Sequence, residues 1–84
     1  MSERATYTLS LQGQKLTLVS SDGEEHVRRV ASRAREALDA MRSPRLSSHL
    51  TALAATLSLA EENLALRDEI TRLRAESLAE HAQA

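Results

Sequence analysis

The stretch that decides the fold is SSHLTALAATLSLAEENLALRDEITRLRAESLAE, residues 47–80. It contains no Gly or Pro, and Ser47 or Ser48 at its start can cap a helix. A helix of about 34 residues spans roughly 50 Å at 1.5 Å per residue. In a chain of 84 residues, a helix of this length must project beyond any globular part.

The apolar pattern changes along this helix. Its first half carries leucine and alanine at spacings of three and four, on a stripe formed by Leu50, Leu53, Leu57, Ala60 and Leu64. Beyond Glu61 a single apolar seam remains, flanked by charged residues. Between Leu53 and Ala60 the helix is apolar nearly all round, so that part should be buried on most sides, whereas the part beyond Glu61 should pair through its single seam.

The single seam has the seven-residue repeat of a coiled coil. Asn63 and Ile70 take a positions, and three leucines take d positions, at Leu59, Leu66 and Leu73. An Asn at a fixes the register at some cost in stability, and Ile at a with Leu at d favours parallel pairs. These five residues are the predicted oligomerisation residues.

A β-hairpin is predicted before the helices. Residues 7–11 and 15–19 alternate apolar and polar side chains, and Gly13 between them is free to take a positive φ. The pattern places five side chains on one face of the hairpin: Tyr7, Leu9, Leu11, Leu16 and Leu18. A hairpin alone is marginal in water, so it must pack on a helix or on another subunit.

A shorter helix is predicted between the hairpin and the long helix. Ser21 with Glu24 and Asp22 with Glu25 both have capping-box spacing, and Ser43-Pro44 should end the helix. Its apolar stripe is Val27, Val30, Ala31, Ala34, Leu38 and Met41. Its exposed side should carry three ion pairs four residues apart, Glu24–Arg28, Glu25–Arg29 and Arg35–Asp39.

Composition narrows the function classes. There is no Cys for a disulfide or a thiolate metal site, and His26, His49 and His81 are too far apart to form a close metal-binding pair. No phosphate-binding Gly-rich loop or nucleophile motif occurs, so we expect no enzyme activity and no cofactor. A net charge of -1 argues against nucleic-acid or anionic-membrane binding. The N-terminus lacks a signal-peptide pattern, which predicts a cytosolic protein.

The arginines of the short helix and the turn after it have three interpretations. They are Arg28, Arg29, Arg33, Arg35, Arg42 and Arg45. They can form a solvated face with ion pairs, a docking surface for an acidic protein segment, or a nucleic-acid contact. Interleaved acidic residues and the lack of a stacking aromatic count against nucleic acid.

These elements define an α+β protein. Its N-terminal β-hairpin and short helix precede a long C-terminal helix, which forms a coiled coil in a dimer or tetramer. We assign residues 6–60 to a hairpin and two-helix head, 61–80 to the coiled coil, and 1–5 and 81–84 to flexible termini. A chain this short without disulfides needs oligomerisation to bury enough apolar surface.

The chain resembles the ZapA family of small bacterial cell-division proteins, which are associated with the tubulin-like GTPase FtsZ. The resemblance lies in YTLSLQGQKLTL (residues 7–18), DGEE (22–25), SPRLS (43–47) and LSLAEE (57–62). The order and spacing of these pieces make the match more specific than any piece alone.

The resemblance implies a non-enzymatic cytoplasmic protein at the division septum that binds, cross-links and bundles FtsZ filaments. It implies that the head contacts FtsZ, with Arg45 of the Ser-Pro-Arg turn as a contact; Arg42 and Arg33 are further candidates. The coiled coil would join two chains, and then two dimers in an antiparallel tetramer. The alternative is an oligomerisation adaptor that joins other protein partners.

Overall fold

The computed structural model describes residues 3–83. The chain forms strands β1 (Ala5–Leu11) and β2 (Gln14–Ser20), then helices α1 (Glu24–Met41) and α2 (Ser48–Gln83). The predicted hairpin, short helix and long helix are thereby confirmed. No helix in the described part of the chain is both long and apolar enough to cross a bilayer.

The hairpin closes through a two-residue turn. Leu11 pairs with Gln14, and Gln12 and Gly13 between them have φ values of 51° and 76°. Two consecutive positive φ values are typical of the type I′ turn, whose twist matches that of the flanking strands. The register places the predicted side chains on one face, because Tyr7 lies opposite Leu18 and Leu9 opposite Leu16.

The start of α1 differs from the capping-box prediction. The N-cap is Gly23, which has no side chain to cap with, and its carbonyl accepts the first helical bond from the Val27 amide at 3.1 Å. Gly23 has a φ of 93°, a conformation that favours glycine. The Asp22 amide is bonded to the Ser20 Oγ at 3.1 Å, so the polar residues before α1 form a turn.

Two of the three predicted ion pairs on α1 are wrong. Glu24 and Arg28 do pair, at 2.9 Å. Arg35 instead donates to the Ser10 carbonyl of β1 at 3.3 and 3.4 Å, and Asp39 pairs with Arg42. Glu25 and Arg29 form no pair within residues 3–83. The apolar stripe also shifts, because Val30 is half exposed while Ala37 is buried.

The last helix starts as predicted. The Ser47 Oγ accepts a hydrogen bond from the Leu50 amide at 3.1 Å, which caps α2. The helix extends to Gln83. Residues 1, 2 and 84 lie outside the part of the chain that the structure describes. Ala5 belongs to β1, and the flexibility expected of residues 1–5 and 81–84 stays a prediction.

Burial divides α2 into two segments. In the proximal segment, residues 48–59, Thr51 and Ala55 are buried, and Ala55 joins Ala37 and Leu38 of α1 in a small core. In the distal segment, residues 60–82, every side chain is exposed. The assignment of 6–60 to the head and 61–80 to the coiled coil stays a prediction.

Candidate functional site

The predicted oligomerisation residues follow one another along α2. Leu59 is half-buried beside the core of the head, whereas Asn63 and the three residues after it lie in the distal segment. Leu66, Ile70 and Leu73 are 57%, 47% and 50% exposed. Three large apolar side chains in one heptad register on an exposed helix face mark a surface that excludes water only when another helix covers it.

A second set of exposed leucines lies on a different face of α2. It consists of Leu50, Leu53, Leu57, Leu64 and Leu78. Two of these, Leu53 and Leu57, lie in the stretch from Leu53 to Ala60 that is predicted to be buried on most sides. Since the single chain leaves them in water, that expectation is not met by the head's own packing.

An apolar groove opens beside the proximal segment, with a volume of about 450 Å³. Its walls are the turn end of the hairpin with Leu11 and Leu16, α1 with Leu38, and the α2 face with Ala52 and Leu59. Sequence reasoning missed this groove because it exists only where three distant segments meet. The heptad pattern, continued toward the N-terminus, is the one signal that points to its α2 wall.

The hairpin turn is attached to the start of α2. The Gln12 Nε2 donates a hydrogen bond to the Ser48 carbonyl at 3.0 Å. Gln12 holds a positive φ that most residues avoid, so this bond helps to fix a turn that needs a positive φ at both Gln12 and Gly13. The groove wall at the turn is therefore tied directly to the helix that forms the opposite wall.

Arg33 is half-buried between the two helices. It pairs with Glu62, at the start of the distal segment, and with Glu36 at 3.6 Å. The first of these pairs joins residues that are 29 positions apart in the chain. Arg33 thus holds α1 against α2. The sequence analysis considered it only as a partner contact and did not predict this structural role.

Arg42 lies at the C-terminal end of α1. It pairs with Asp39 at 3.0 Å and lines a shallow depression together with Arg35 and the hairpin turn at Gln12 and Gly13. Arg35 was not among the predicted contacts, although it precedes Arg42 by seven residues and so lies on the same flank of the helix. Two guanidinium groups therefore line one depression.

Arg45 lies in the turn between the helices, with its side chain exposed. Its amide donates to the Ser43 Oγ at 3.2 Å, and the Leu46 amide donates to the Ser43 carbonyl at 3.0 Å, so the backbone of the turn is fixed. Within residues 3–83 no carboxylate pairs with Arg45. A fixed backbone with an exposed guanidinium suits recognition of a carboxylate on another protein.

The three candidate arginines do not form one patch. Arg33 lies in α1 and Arg42, nine positions later, is the C-cap residue at its end. This spacing places the two side chains on opposite sides of the helix, about 180° apart. Arg42 and Arg45 belong to the end of α1 and the turn after it, whereas Arg33 faces Glu62. In the part of the chain that the structure describes, no cluster of acidic and histidine side chains could hold a metal ion.

The fold and its surfaces define a class of protein: a small hairpin and a short helix packed at the start of a long helix, whose distal segment carries exposed apolar residues in heptad register. The family model described as cell division protein ZapA matches residues 7–84. The chain therefore belongs to the ZapA family, a family of non-enzymatic cell-division adaptors associated with FtsZ. No curated protein and no solved structure matches it.

Proposed function

We propose that this chain binds FtsZ filaments at the division septum, in the cytoplasm, and cross-links them into bundles without enzymatic activity. It would do so as a homodimer or homotetramer joined through α2. The match to the family model over residues 7–84 carries the proposal. The head and the long exposed helix fit it, because a cross-linker needs at least two binding heads held at a fixed separation.

Multivalency supplies the physical reason for this arrangement. When one weak head is bound, the second head on the same rod is held near the filament at a high effective concentration. The combined affinity then exceeds that of either head without any new contact. Filaments offer many repeated sites, so linked heads would gain more from them than from single FtsZ subunits.

Arg45 is the first candidate for the FtsZ contact. Its exposed side chain and lack of a carboxylate partner within residues 3–83 leave its charge available to an acidic surface. Arg42 is a candidate because it lies three positions before Arg45 in the sequence. It ranks second because it already pairs with Asp39. Arg33 is the third, and we expect it to contribute least, since a contact with FtsZ would compete with Glu62.

Sedimentation with polymerised FtsZ tests the proposal. The chain should pellet with filaments at low salt and remain in the supernatant without them. Binding through arginines should weaken as the ionic strength rises, because exposed charges are screened. Absence from the filament pellet at low salt would contradict the proposed function.

The variant Arg45→Glu tests the contact residue. We expect less co-pelleting with the molar mass of the oligomer unchanged. Arg29→Glu is the matched control, since it makes the same charge change on an exposed residue near the other end of α1. If both variants lose co-pelleting to the same extent, the loss reflects the change in overall charge and not a contact made by Arg45. If Arg45→Glu pellets as the original chain does, Arg45 is not part of the binding site.

The alternative of a general oligomerisation adaptor predicts a different result. Such a protein would self-associate but would not pellet with FtsZ, and its Arg45→Glu variant would bind its other partners as before. Nucleic-acid binding by α1 would give affinity for DNA that falls steeply with salt. The chain's net charge of -1 favours the absence of any such binding at low salt.

A further inference from the structure

We infer that His49 makes the self-association of this chain sensitive to pH, so that the oligomer dissociates more readily in mild acid than near neutral pH. The inference rests on the self-association that is part of the proposed function. It adds a regulatory property, because a proton bound at His49 would oppose coverage of the groove by a second copy.

The position of His49 in the groove is the first observation. Among residues 3–83, His49 is the one ionisable side chain that lines the groove. It is also the one ionisable residue between Arg45 and Glu61 in the sequence. The other polar groups on the walls are uncharged amides and hydroxyls, those of Gln12, Gln14, Ser48 and Thr56.

The charged side chains of the hairpin and of the turn before α2 lie outside the groove. Lys15 belongs to β2, but it follows Leu16 on neither face: it pairs across the sheet with Ser10, and neighbouring residues of a strand point to opposite faces. Arg45 lies in the turn between the helices and is exposed. Neither residue brings a negative charge to His49.

The charged side chains of α1 make other contacts. Arg33 pairs with Glu62, and Arg35 bonds a carbonyl at the end of β1. Asp39, the acidic residue at this end of α1, pairs with Arg42. Within residues 3–83, no carboxylate pairs with the imidazole at position 49.

A second copy in the groove would remove water from His49. We take α2 of that copy as the occupant, because the predicted heptad repeat continues toward the N-terminus with His49 and Thr56 at a positions. A protonated imidazole loses its hydration when it is covered, which is costly unless a carboxylate replaces the water. The proximal segment of the second copy, residues 48–59, contains no acidic residue that could do so.

The start of α2 acts in the same direction. His49 is the second residue of the helix, where unpaired backbone amides give the N-terminus a partial positive charge. Arg45, four positions earlier, adds a full positive charge. Both repulsions grow when a second copy excludes solvent, because water and salt no longer screen the charges. The covered groove therefore favours the neutral imidazole.

The direction of the pH effect follows from the number of bound protons. Separated chains can bind a proton at His49, whereas the covered groove holds the neutral ring, so the oligomer binds fewer protons. Association must then weaken as the pH falls. Histidine changes its charge between pH 5 and 8, and a dimer contains two copies of His49. We expect the dissociation constant to be at least about tenfold higher at pH 5.5 than at pH 8.

Sedimentation velocity over a concentration series at the two pH values tests the inference. His49→Gln keeps a polar side chain without the titration, so its dissociation constant should be the same at both. His49→Lys is charged at both pH values and should associate weakly at both. Since His49 is exposed in the single chain, neither change should alter the fold of the head, which circular dichroism can check.

The other two histidines provide matched controls. The His26 Nε2 lies 3.9 Å from a carboxylate oxygen of Asp22, so its protonation would strengthen a contact and act in the opposite direction. His81 lies in the last turn of α2, far from the groove in sequence. His26→Gln and His81→Gln should each keep the pH response of the original chain.

The outcomes separate this inference from the proposed function, because none of these measurements uses FtsZ. A pH response that His49→Gln abolishes and both controls keep would support the inference, even if the chain fails to pellet with filaments. Equal dissociation constants at the two pH values, or a response that His49→Gln retains, would overturn the inference and leave self-association in place. A folded monomer at pH 8 would overturn both.

Discussion

The two segments of α2 belong to one helix but have opposite surroundings. In the proximal segment, Thr51 and Ala55 are buried against α1. In the distal segment, Leu66, Ile70 and Leu73 are about half exposed, and no side chain is buried. The secondary structure is the same in both, so the difference lies in what each segment packs against.

This contrast indicates which part of the chain would gain most from a partner. The proximal segment gains from the hairpin and α1, which pack on it within the same chain. The distal segment has only contacts along its own surface, such as the pairs of Arg72 with Glu69 and Glu76. Exposed pairs of this kind contribute a few tenths of a kcal/mol each, and most helical stability in proteins comes from packing of an apolar face.

The largest expected effect comes from a charge in the seam. Ile70→Asp places a carboxylate where two helices would meet, so we expect the oligomer to dissociate and the helical signal of the distal segment to fall. Light scattering and circular dichroism measure the two effects. Leu78→Asp is the matched control, because Leu78 lies off the seam and is 70% exposed. An oligomer that survives Ile70→Asp but not Leu78→Asp would place the interface on the other face.

The next effect concerns the head. Leu38 is a large side chain of its small core, so Leu38→Ala should lower the free energy of unfolding by about 2–5 kcal/mol. Urea unfolding at a fixed protein concentration measures this, since the stability of an oligomer depends on concentration. Leu78→Ala should change the same quantity by less than about 0.5 kcal/mol. An equal loss of unfolding free energy in the two variants would contradict the difference in packing between the core around Leu38 and the exposed distal segment.

A smaller effect is expected where the proximal segment begins. Ser47→Ala removes the cap on the Leu50 amide and should cost about 1 kcal/mol. Ser48→Ala is the control, because the Ser48 contact with Gln12 uses the backbone carbonyl, which the substitution keeps. The same urea experiment compares them, and a larger loss for Ser48→Ala would show that Ser47 is not the cap.

The smallest effect concerns an exposed ion pair on the head. Arg28 and Glu24 are both more than two-thirds exposed, so Arg28→Gln should change the free energy of unfolding by less than about 0.5 kcal/mol. Unfolding in low and high salt should show little difference between this variant and the original chain. A loss above about 1 kcal/mol would mean that Arg28 has a partner beyond Glu24.

Local patterns predicted most of the fold. Alternation around Gly13 defined the hairpin, and Ser47 with the absence of Gly and Pro defined α2. The predicted cap of α1 was wrong because Gly23, which adopts a positive φ, is the N-cap. The capping-box spacings of Ser21 and Asp22 gave a stronger sequence pattern than a lone glycine does. Arg35 was paired wrongly because its real acceptor is the Ser10 carbonyl, 25 residues away.

Of the candidate surfaces, the sequence predicted the seam but not the groove, because only the seam is a pattern within one helix. A heptad repeat is a property of one helix, so the seam from Leu59 to Leu73 could be proposed from the sequence, and it stays a prediction. The groove needs the hairpin, α1 and α2 in contact, and the Arg33–Glu62 pair joins two helices. Interactions that depend on tertiary packing leave no periodic pattern, which is why sequence reasoning missed them.

Self-association through α2 is tested most directly by the molar mass of the original chain in solution, measured by light scattering over a concentration series. A chain that self-associates through α2 should reach a mass at least twice the 9.2 kDa of one chain as the concentration rises. A folded chain that stays at 9.2 kDa throughout would contradict self-association, because the distal segment would then keep its apolar seam in water with no helix to cover it.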